Sequence, residues 1–167
     1  MSLQKIRIGH GYDVHKFSEA VMPTKPLILA SVEIPEKKSL VAHSDGDLIL
    51  HALCDAMLGA IGAGDIGRYF PDSEDKFKNI ESKFLLERVM AMVSSKGFRL
   101  VNLDVTVVAQ VPKLSPYMSL MTEKLAELVG LAVDCVNIKA TTTESMGFIG
   151  QEEGMACYAV VLISSDA

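Results

Sequence analysis

The sequence predicts an α+β fold in one domain over residues 1–167, with a mixed β-sheet that carries its helices on one face. Short runs of alternating apolar and polar residues indicate strands, and three longer stretches repeat apolar residues at helical spacing. No repeat or linker divides the 167 residues, of which 49% are hydrophobic, enough for one sizeable core. A sheet this apolar would aggregate with its second face exposed, so we expect other subunits to cover that face.

The charge balance and the cysteines exclude several classes of function. With 16 basic and 21 acidic residues the net charge is −5, which argues against nucleic acid as a partner. No apolar segment approaches the roughly 20 residues of a membrane span. The first strand is expected within a few residues of Met1, which leaves no room for a targeting peptide. Cys54, Cys135 and Cys157 resemble reduced core cysteines, so we expect a cytoplasmic protein.

Short apolar runs interrupted by glycine and proline predict the N-terminal elements. Lys5–Gly9 is expected to be a short strand, and two closely spaced glycines predict a tight turn over Gly9–Tyr12. Phe17–Pro26 is expected to form a flexible loop over the candidate metal site. Two short strands are predicted next, at Leu27–Ala30 and Ser31–Ile34.

A long apolar stretch predicts the first helix, over Gly46–Ile61, with Ser44 or Asp45 as its cap. Asp47, His51 and Asp55 are spaced four residues apart and therefore share one side of this helix. A helix with so many apolar residues is expected to be buried, so packing would hold His51 in place.

The remaining elements follow from the same patterns. Gly64–Asp72 contains glycine, proline and acidic residues, so we expect a loop that serves a site. A second helix is predicted over Glu81–Lys96, ending at Gly97, and a third runs from Ser115–Pro116 to Gly130. Apolar alternation predicts three further strands, at Leu100–Gln110, Val136–Ala140 and Met155–Ser164.

Asp13, His15 and His51 are candidate metal ligands. Asp13 and His15 are two residues apart, so on an extended chain both side chains leave the same face. One carboxylate and two imidazoles suit Zn²⁺ or a similar divalent ion, and three protein ligands leave a position open for substrate. The alternative is a turn carboxylate with two histidines in ordinary hydrogen bonds. His43 is also open to two interpretations, as a residue that helps cap the helix or as a donor in the pocket.

Thr141–Thr143 and Glu144 follow a predicted strand directly. Three hydroxyls and the N–H groups of a turn can bind phosphate oxygens, and Glu144 could hold a second cation. Alternatively, the three threonines simply extend the strand, where β-branched residues are favoured. Lys113, after the end of another strand, is a phosphate contact or an ordinary surface lysine.

Several short motifs are weak individually but occur together in one order and at one spacing. They are Gly9–His15, Ala42–Asp47, His51, Gly64–Gly67, Phe70–Asp72, Ala109–Lys113, Lys139–Glu144 and Gly147–Phe148. In these stretches the chain resembles the 2-C-methyl-D-erythritol 2,4-cyclodiphosphate synthase family of the non-mevalonate isoprenoid pathway. The resemblance spans nearly the whole chain.

The resemblance implies a phosphorus–oxygen lyase whose substrate is 4-diphosphocytidyl-2-C-methyl-D-erythritol 2-phosphate. The 2-phosphate attacks the β-phosphate, which closes a cyclic diphosphate and expels CMP. Family members are homotrimers, with sheets packed around a threefold axis and active sites between adjacent subunits. The central channel can hold an apolar ligand.

The resemblance also implies roles for individual residues. The metal ligands would be Asp13, His15 and His51 for Zn²⁺ at the β-phosphate, and Glu144 for Mg²⁺ or Mn²⁺ between the α- and β-phosphates. His43 and Thr142 would stabilise the transition state.

Substrate contacts are implied in three groups of residues. The methylerythritol part would contact Asp65, Ile66, Gly67, Phe70, Pro71, Asp72, Ser73 and Glu74. The cytidine diphosphate part would contact Ala109, Gln110, Val111, Pro112, Lys113, Leu114, Ser115, Thr141 and Thr143. Further contacts would come from Ser44 and Phe148.

One position departs from the family's pattern. Many bacterial members have arginine a few residues after the Gly–Phe pair, facing the trimer axis, where this chain has Gln151. Because a guanidinium is a bidentate phosphate partner, we expect a ligand in the central channel to bind here without strong diphosphate recognition. Two other functions remain open beside the lyase: a metal-dependent phosphoesterase that uses zinc-bound water, and a non-catalytic trimeric carrier of isoprenoid-like ligands.

Overall fold

The computed structural model describes residues 5–19, 25–71, 74, 77 and 79–165. The strands are β1 (Ile6–Lys16), β2 (Leu27–Leu29), β3 (Val32–Ile34), β4 (Phe98–Val108), β5 (Val136–Thr141) and β6 (Gly154–Ser165). The α-helices are α1 (Leu48–Ala60), α2 (Ile66–Tyr69), α3 (Ser82–Ser95), α4 (Met118–Val129) and α5 (Gly147–Gly150). The long elements therefore lie where the sequence predicts them. None of the described helices has the length and apolarity to cross a membrane.

A four-stranded sheet in the order β1–β6–β4–β5 forms the centre of the fold. β6 is antiparallel to β1 and β4, whereas β4 and β5 are parallel, so the predicted mixed sheet is confirmed. The register places Asp13 opposite Cys157, Cys157 opposite Val107, and Val107 opposite Ala140. These four residues mark one level across the sheet, from its β1 edge to its β5 edge.

Buried side chains share one face of the sheet. On β6, Cys157, Ala159 and Val161 are fully buried, whereas Tyr158 and Val160 between them are exposed. On the buried face α1 packs across β1 and β6, α3 packs on α1, and α4 packs beside β5. The buried apolar residues form one core, as a single α+β domain requires.

The opposite face of the sheet is open and apolar. Ile6 and Ile8 on β1 are 63% and 70% exposed, and the rings of Tyr12 and Tyr158 lie 4.9 Å apart on neighbouring strands. A contiguous apolar surface of this kind is typical of a protein–protein interface. The coverage of this face by other subunits remains a prediction, and the surface that they would cover includes Ile6, Ile8, Tyr12 and Tyr158.

The predicted turn over Gly9–Tyr12 is wrong, because β1 runs through it without interruption. A Cβ added to Gly9 would lie 1.8 Å from the carbonyl oxygen of Ala56, and one added to Gly11 would lie 1.9 Å from that of Ala52. Gly9 and Gly11 are therefore needed for the close approach of strand and helix, not for a turn. Their absence of side chains places α1 directly against β1.

Asp47 caps α1 and also fixes the turn between β2 and β3. Its Oδ1 accepts hydrogen bonds from the N–H groups of Leu50 at 3.2 Å and Ala30 at 2.9 Å, and its Oδ2 accepts one from Ser31 at 2.6 Å. Ala30 and Ser31 have φ of 51° and 58°, a region that non-glycine residues rarely adopt without support. One buried carboxylate thus joins the hairpin to the start of α1.

The prediction that Ser44 or Asp45 caps α1 is wrong. The chain is still extended at Asp47, directly before α1, and the Asp47 carboxylate is the one that accepts an N–H of the first turn. Burial raises the pKa of Asp47 to about 6, against the opposing effect of its backbone hydrogen bonds.

Candidate metal centre and substrate clefts

Three ligand atoms converge where β1 meets α1. His51 Nδ1 lies 3.0 Å from Asp13 Oδ2 and 3.0 Å from His15 Nε2, and His15 Nε2 lies 3.2 Å from Asp13 Oδ2. Asp13 and His15 project from the face of β1 that carries Gly9 and Gly11, so they point toward the helix. The sequence prediction that these three residues meet is confirmed.

The size of this triangle fits a tetrahedral zinc ion. Bonds of about 2.0 Å with tetrahedral angles place ligand atoms about 3.3 Å apart. The observed separations are 3.0, 3.0 and 3.2 Å. They would need to lengthen by only about a few tenths of an ångström to match the tetrahedral spacing. The donors are one carboxylate oxygen and two imidazole nitrogens, a set that suits a divalent ion with a fourth position open to substrate.

His51 is held rigidly because eleven of the thirteen residues of α1 are buried. Burial by itself lowers the pKa of His51, but the hydrogen bond and charge of Asp13, with the charges of Asp47 and Asp45, outweigh it and leave the pKa raised. The metal-free site therefore favours a proton, which a bound cation would displace.

The other nitrogen of His51 faces a polar network. Nε2 lies 3.0 Å from Ser44 Oγ and 2.9 Å from Ser82 Oγ, and Ser82 Oγ donates a hydrogen bond to Asp45 Oδ1. Ser82 is fully buried at the first position of α3. The Asp45 carboxylate also accepts the N–H of Ser82 at 3.0 Å, so it occupies the N-terminus of α3.

The three ligand residues lie in the wall of a cleft of about 490 Å³. Nine residues predicted to act on the metal or the substrate line it: Asp13, His15, His43, Ser44, His51, Ile66, Gly67, Phe70 and Pro71. His43 Nε2 is buried and has no hydrogen-bond partner among the residues that the structure describes. A buried donor or acceptor without a partner costs free energy, so a ligand that bonded to it would be favoured.

The predicted loop Gly64–Asp72 contains the short helix α2, which the sequence analysis missed. The Asp65 carboxylate accepts the N–H of Arg68 at 3.0 Å and so caps α2, and Asp55 on α1 accepts the N–H of Ile66 at 2.7 Å. These two carboxylates stabilise a helical turn in a segment whose glycines predicted an irregular loop. Residues 20–24 of the predicted loop Phe17–Pro26 lie outside the described residues. The predicted substrate contacts Asp72 and Ser73 also lie outside them, whereas Glu74 is described and half-buried.

A second cleft, of about 570 Å³, lies at the other edge of the sheet. Eight residues predicted to act on the substrate line it: Ala109, Gln110, Pro112, Lys113, Leu114, Ser115, Thr141 and Thr142. Beyond it, Glu144 adopts φ of 53° and its backbone N–H donates to Thr142 Oγ1 at 3.3 Å. Thr143 Oγ1 donates to the Met146 carbonyl oxygen, and Phe148 is 46% exposed.

The predicted site residues therefore fall into two groups within one chain. Asp13 and Ala140 are at the same level of the sheet but on its two outer strands, three strand spacings or about 14 Å apart. The candidate metal ligands lie at the β1 edge of the sheet, whereas Thr141 is the last residue of β5 and Thr142 follows it directly. The two clefts share no lining residue.

Sequence reasoning missed the residues that support the ligands. Ser82 begins a helix, and its position in the sequence suggests nothing more than a helix start. Asp45 was expected at the start of α1 but contacts the start of α3 instead. Asp55 shares the side of α1 that carries His51, but its carboxylate accepts the N–H of Ile66 and so supports α2.

Comparison with known proteins gives consistent matches. The YgbB family matches residues 6–164 of the chain. The 2-C-methyl-D-erythritol 2,4-cyclodiphosphate synthase of Photobacterium profundum is 54% identical over 160 residues, which are 96% of this chain and 99% of the relative. The bifunctional IspDF from Campylobacter jejuni is 44% identical with a TM-score of 0.92, over 98% of this chain and 43% of that one. A CDP complex of IspF from Plasmodium falciparum is 32% identical with a TM-score of 0.84, over 99% of this chain and 100% of that one.

Proposed function

The chain belongs to the YgbB family, and on that premise we propose that it converts 4-diphosphocytidyl-2-C-methyl-D-erythritol 2-phosphate to 2-C-methyl-D-erythritol 2,4-cyclodiphosphate and CMP. The observation that carries the proposal is the convergence of Asp13, His15 and His51 within 3.2 Å of one another in the wall of a cleft. Such a group suits a cation that neutralises phosphate charge.

The proposed reaction requires alignment of two anions more than it requires a base. An oxygen of the 2-phosphate bonds to the β-phosphorus, the bond from that phosphorus to the bridging oxygen breaks, and CMP leaves with the electron pair. The attacking phosphate is already largely ionised near neutral pH. Positioning and electrostatic stabilisation then lower the barrier.

The first cleft offers groups for the reacting phosphates. Asp13, His15 and His51 would hold Zn²⁺, which when bound supplies Lewis-acid polarisation of a phosphate oxygen. The buried Nε2 of His43, which has no partner among the described residues, is suited to donate a hydrogen bond to the same phosphate. Ser44 also lines the cleft and would contact the substrate beside it.

The second cleft offers groups for the cytidine diphosphate part. Lys113 supplies a positive charge, and the hydroxyls of Thr141 and Thr142 supply donors to phosphate oxygens. Thr142 Oγ1 lies 3.3 Å from a carboxylate oxygen of Glu144, so the proposed Mg²⁺ or Mn²⁺ ligand lies next to the proposed transition-state donor. The net charge of −5 does not oppose an anionic substrate, since the bound cations would set the local charge.

We infer that the active site is shared between subunits. Each chain carries the zinc half on its β1 edge and the nucleotide half on its β5 edge, about 14 Å apart by the strand spacing. If the β1 edge of one subunit meets the β5 edge of the next, the contact is head-to-tail, and such contacts form a closed ring when the rotation between subunits closes, here the proposed homotrimer. The open apolar faces of the sheets would then pack around the axis and bury Ile6 and Ile8.

The apolar channel ligand and the cytoplasmic location remain predictions. Gln151 donates its side-chain N–H to the Ser145 carbonyl oxygen at 3.3 Å, so its amide already has a partner within the chain. This contact supports the expectation that a channel ligand binds without strong diphosphate recognition. Co-purification with tightly bound farnesyl or geranyl diphosphate would contradict it.

The activity is tested by incubating the protein with the cytidine-linked substrate, Zn²⁺ and Mg²⁺ and following the products by phosphorus NMR. A cyclic diphosphate with stoichiometric CMP, lost in His51→Ala, is the expected result. Lys113→Ala should lose activity through weaker substrate binding, whereas Lys37→Ala, a lysine outside both clefts, should match the wild type. An open-chain phosphate product would identify a hydrolase, and no turnover by zinc-loaded protein would favour a carrier.

Sharing between subunits is tested by mixing two inactive variants. His51→Ala disables only the zinc half, and Thr142→Ala disables only the nucleotide half. After random subunit exchange of an equal mixture, about a quarter of the shared sites regain both halves. Activity near that level supports sites between subunits, and a mixture as inactive as its components would show that each site is contained in one chain.

A further inference from the structure

We propose that Ser82 and Asp45 are positioning residues that fix the tautomer of His51 and thereby set the affinity of the metal centre. The inference rests on the proposed zinc site. It assigns a function to two residues that line neither cleft. It follows from which atoms of the network can donate and which can only accept.

Hydrogen-bond counting determines the direction of the network. A serine hydroxyl has one proton, and a carboxylate can only accept. Ser82 Oγ donates its proton to Asp45 Oδ1, so toward His51 Nε2, at 2.9 Å, it can only accept. The Nε2 atom must therefore carry a hydrogen. In neutral His51 the lone pair is then on Nδ1, the atom that faces Asp13 and His15.

Backbone hydrogen bonds hold Asp45 in the position from which it accepts the Ser82 proton. Its Oδ2 accepts the N–H of Ser82 at 3.0 Å, its Oδ1 accepts the N–H of Asp47 at 3.2 Å, and its own N–H donates to the Ile80 carbonyl oxygen at 3.0 Å. The N-terminus of α3 adds a favourable field for the carboxylate. Glu81, the residue at the cap position of α3, makes no side-chain capping bond, so Asp45 takes that place.

The second acceptor at His51 is weaker as a control on the tautomer. Ser44 Oγ lies 3.0 Å from Nε2 and accepts the N–H of Gly46 at 3.1 Å. Its proton has no carboxylate acceptor in these contacts, so it does not by itself dictate which imidazole nitrogen is protonated. The carboxylate reached through Ser82 is therefore what orients and polarises the ring. A metal-bound imidazole whose other N–H is bonded in this way is a stronger ligand, and loss of such a partner typically weakens metal binding about 10–100-fold.

The test measures the tautomer and zinc affinity without substrate. In ¹⁵N-histidine NMR of metal-free wild type, at a pH above the range in which the imidazole is protonated, His51 should be the Nε2–H tautomer. Ser82→Ala should shift it toward a mixture, because the variant lacks the hydroxyl that accepts from Nε2. Asp45→Asn should do the same, because an amide at position 45 can donate to Ser82 and free the serine proton for Nε2. Zinc binding, by competition with a chromophoric chelator, should weaken about 10–100-fold in both.

Ser164→Ala is the matched control, because it removes another buried serine hydroxyl from β6. Its zinc affinity and His51 tautomer should equal those of the wild type, and Ser82→Thr should restore much of the loss in Ser82→Ala. If Ser82→Ala does not fold, Asp45→Asn and the wild-type tautomer still decide the question. An Nδ1–H tautomer in wild type, or wild-type zinc affinity in both variants, overturns the proposal. Failure of the wild type to form the cyclic product would refute the proposed activity and leave these binding results unaffected.

Discussion

Gly11→Ala is expected to destabilise the fold and to weaken the metal site at the same time. The added Cβ would lie 1.9 Å from the carbonyl oxygen of Ala52 and 2.7 Å from the backbone nitrogen of Ala56. Both are backbone atoms of α1, so no side-chain rotation relieves the overlap. Either α1 or β1 must move, and Asp13 and His51 stand on those two elements.

The size of the effect follows from the rigidity of the contact. Overpacking a core costs about 1–3 kcal/mol, and a clash with helix backbone places this substitution at the upper end, about 3 kcal/mol. For a chain of this size, about 2–4 °C of melting temperature is lost per kcal/mol, which gives a decrease of about 6–12 °C. Without the clash, the same change would instead stabilise by about 0.4–1 kcal/mol, because alanine restricts the unfolded chain. The sign of the change therefore tests the reasoning.

The assay is thermal unfolding of metal-free protein, followed by zinc titration of the folded variant. Gly59→Ala is the control, since it lies on α1 at the same interface and its Cβ would be 3.8 Å from the His10 carbonyl oxygen, an ordinary contact. It should be neutral or stabilise by up to about 1 kcal/mol, as alanine does within a helix. A Gly11→Ala protein as stable as the wild type, with unchanged zinc affinity, would refute the argument for close packing.

Three further predictions concern titration, thiol reactivity and metal binding. Because the pKa of Asp47 is raised to about 6, its contribution to stability is present at about pH 4 and is lost as the pH rises through about 6, by up to about 3 kcal/mol. Urea unfolding should therefore show the stability advantage of the wild type over Asp47→Asn shrinking as pH rises; an advantage that grows would contradict this. Burial raises the pKa of the Cys54 and Cys157 thiols far above the usual range, so a thiol reagent should label only Cys135 in the folded protein, and labelling of either other thiol would be inconsistent with the core. Zn²⁺ at 100 times its Kd should stabilise the wild type by about 2.7 kcal/mol but not His51→Ala, and an equal gain in the variant would place the ion elsewhere.

The sequence predicted the long elements well because their signals are local. Apolar periodicity located α1, α3, α4 and the central strands, and the two-residue spacing of Asp13 and His15 correctly placed both side chains on one face. The motif resemblance supplied what spacing could not, which was the joint assignment of the His51 and Thr142 regions to one reaction. Their positions in two separate clefts were not visible in the motifs.

The errors came from residues whose partners are distant in the sequence. Gly9 and Gly11 have the composition of a turn, and only the position of α1 shows that they serve close packing. Asp45 and Asp47 both precede a helix, and their order in the chain does not reveal that Asp47 caps α1 whereas Asp45 contacts α3.

By itself the sequence determined the α+β class, the principal strands and helices, and the candidate ligands Asp13, His15 and His51, because these depend on side-chain chemistry and spacing within a few residues. Only the tertiary structure decided that the ligand atoms stand 3.0–3.2 Å apart, that Asp45 reaches His51 Nε2 through the Ser82 hydroxyl, and that the two clefts lie at opposite sheet edges. Those distances depend on how α1, α3 and the strands pack together. Packing is a property of the whole core, which no local pattern in the chain contains.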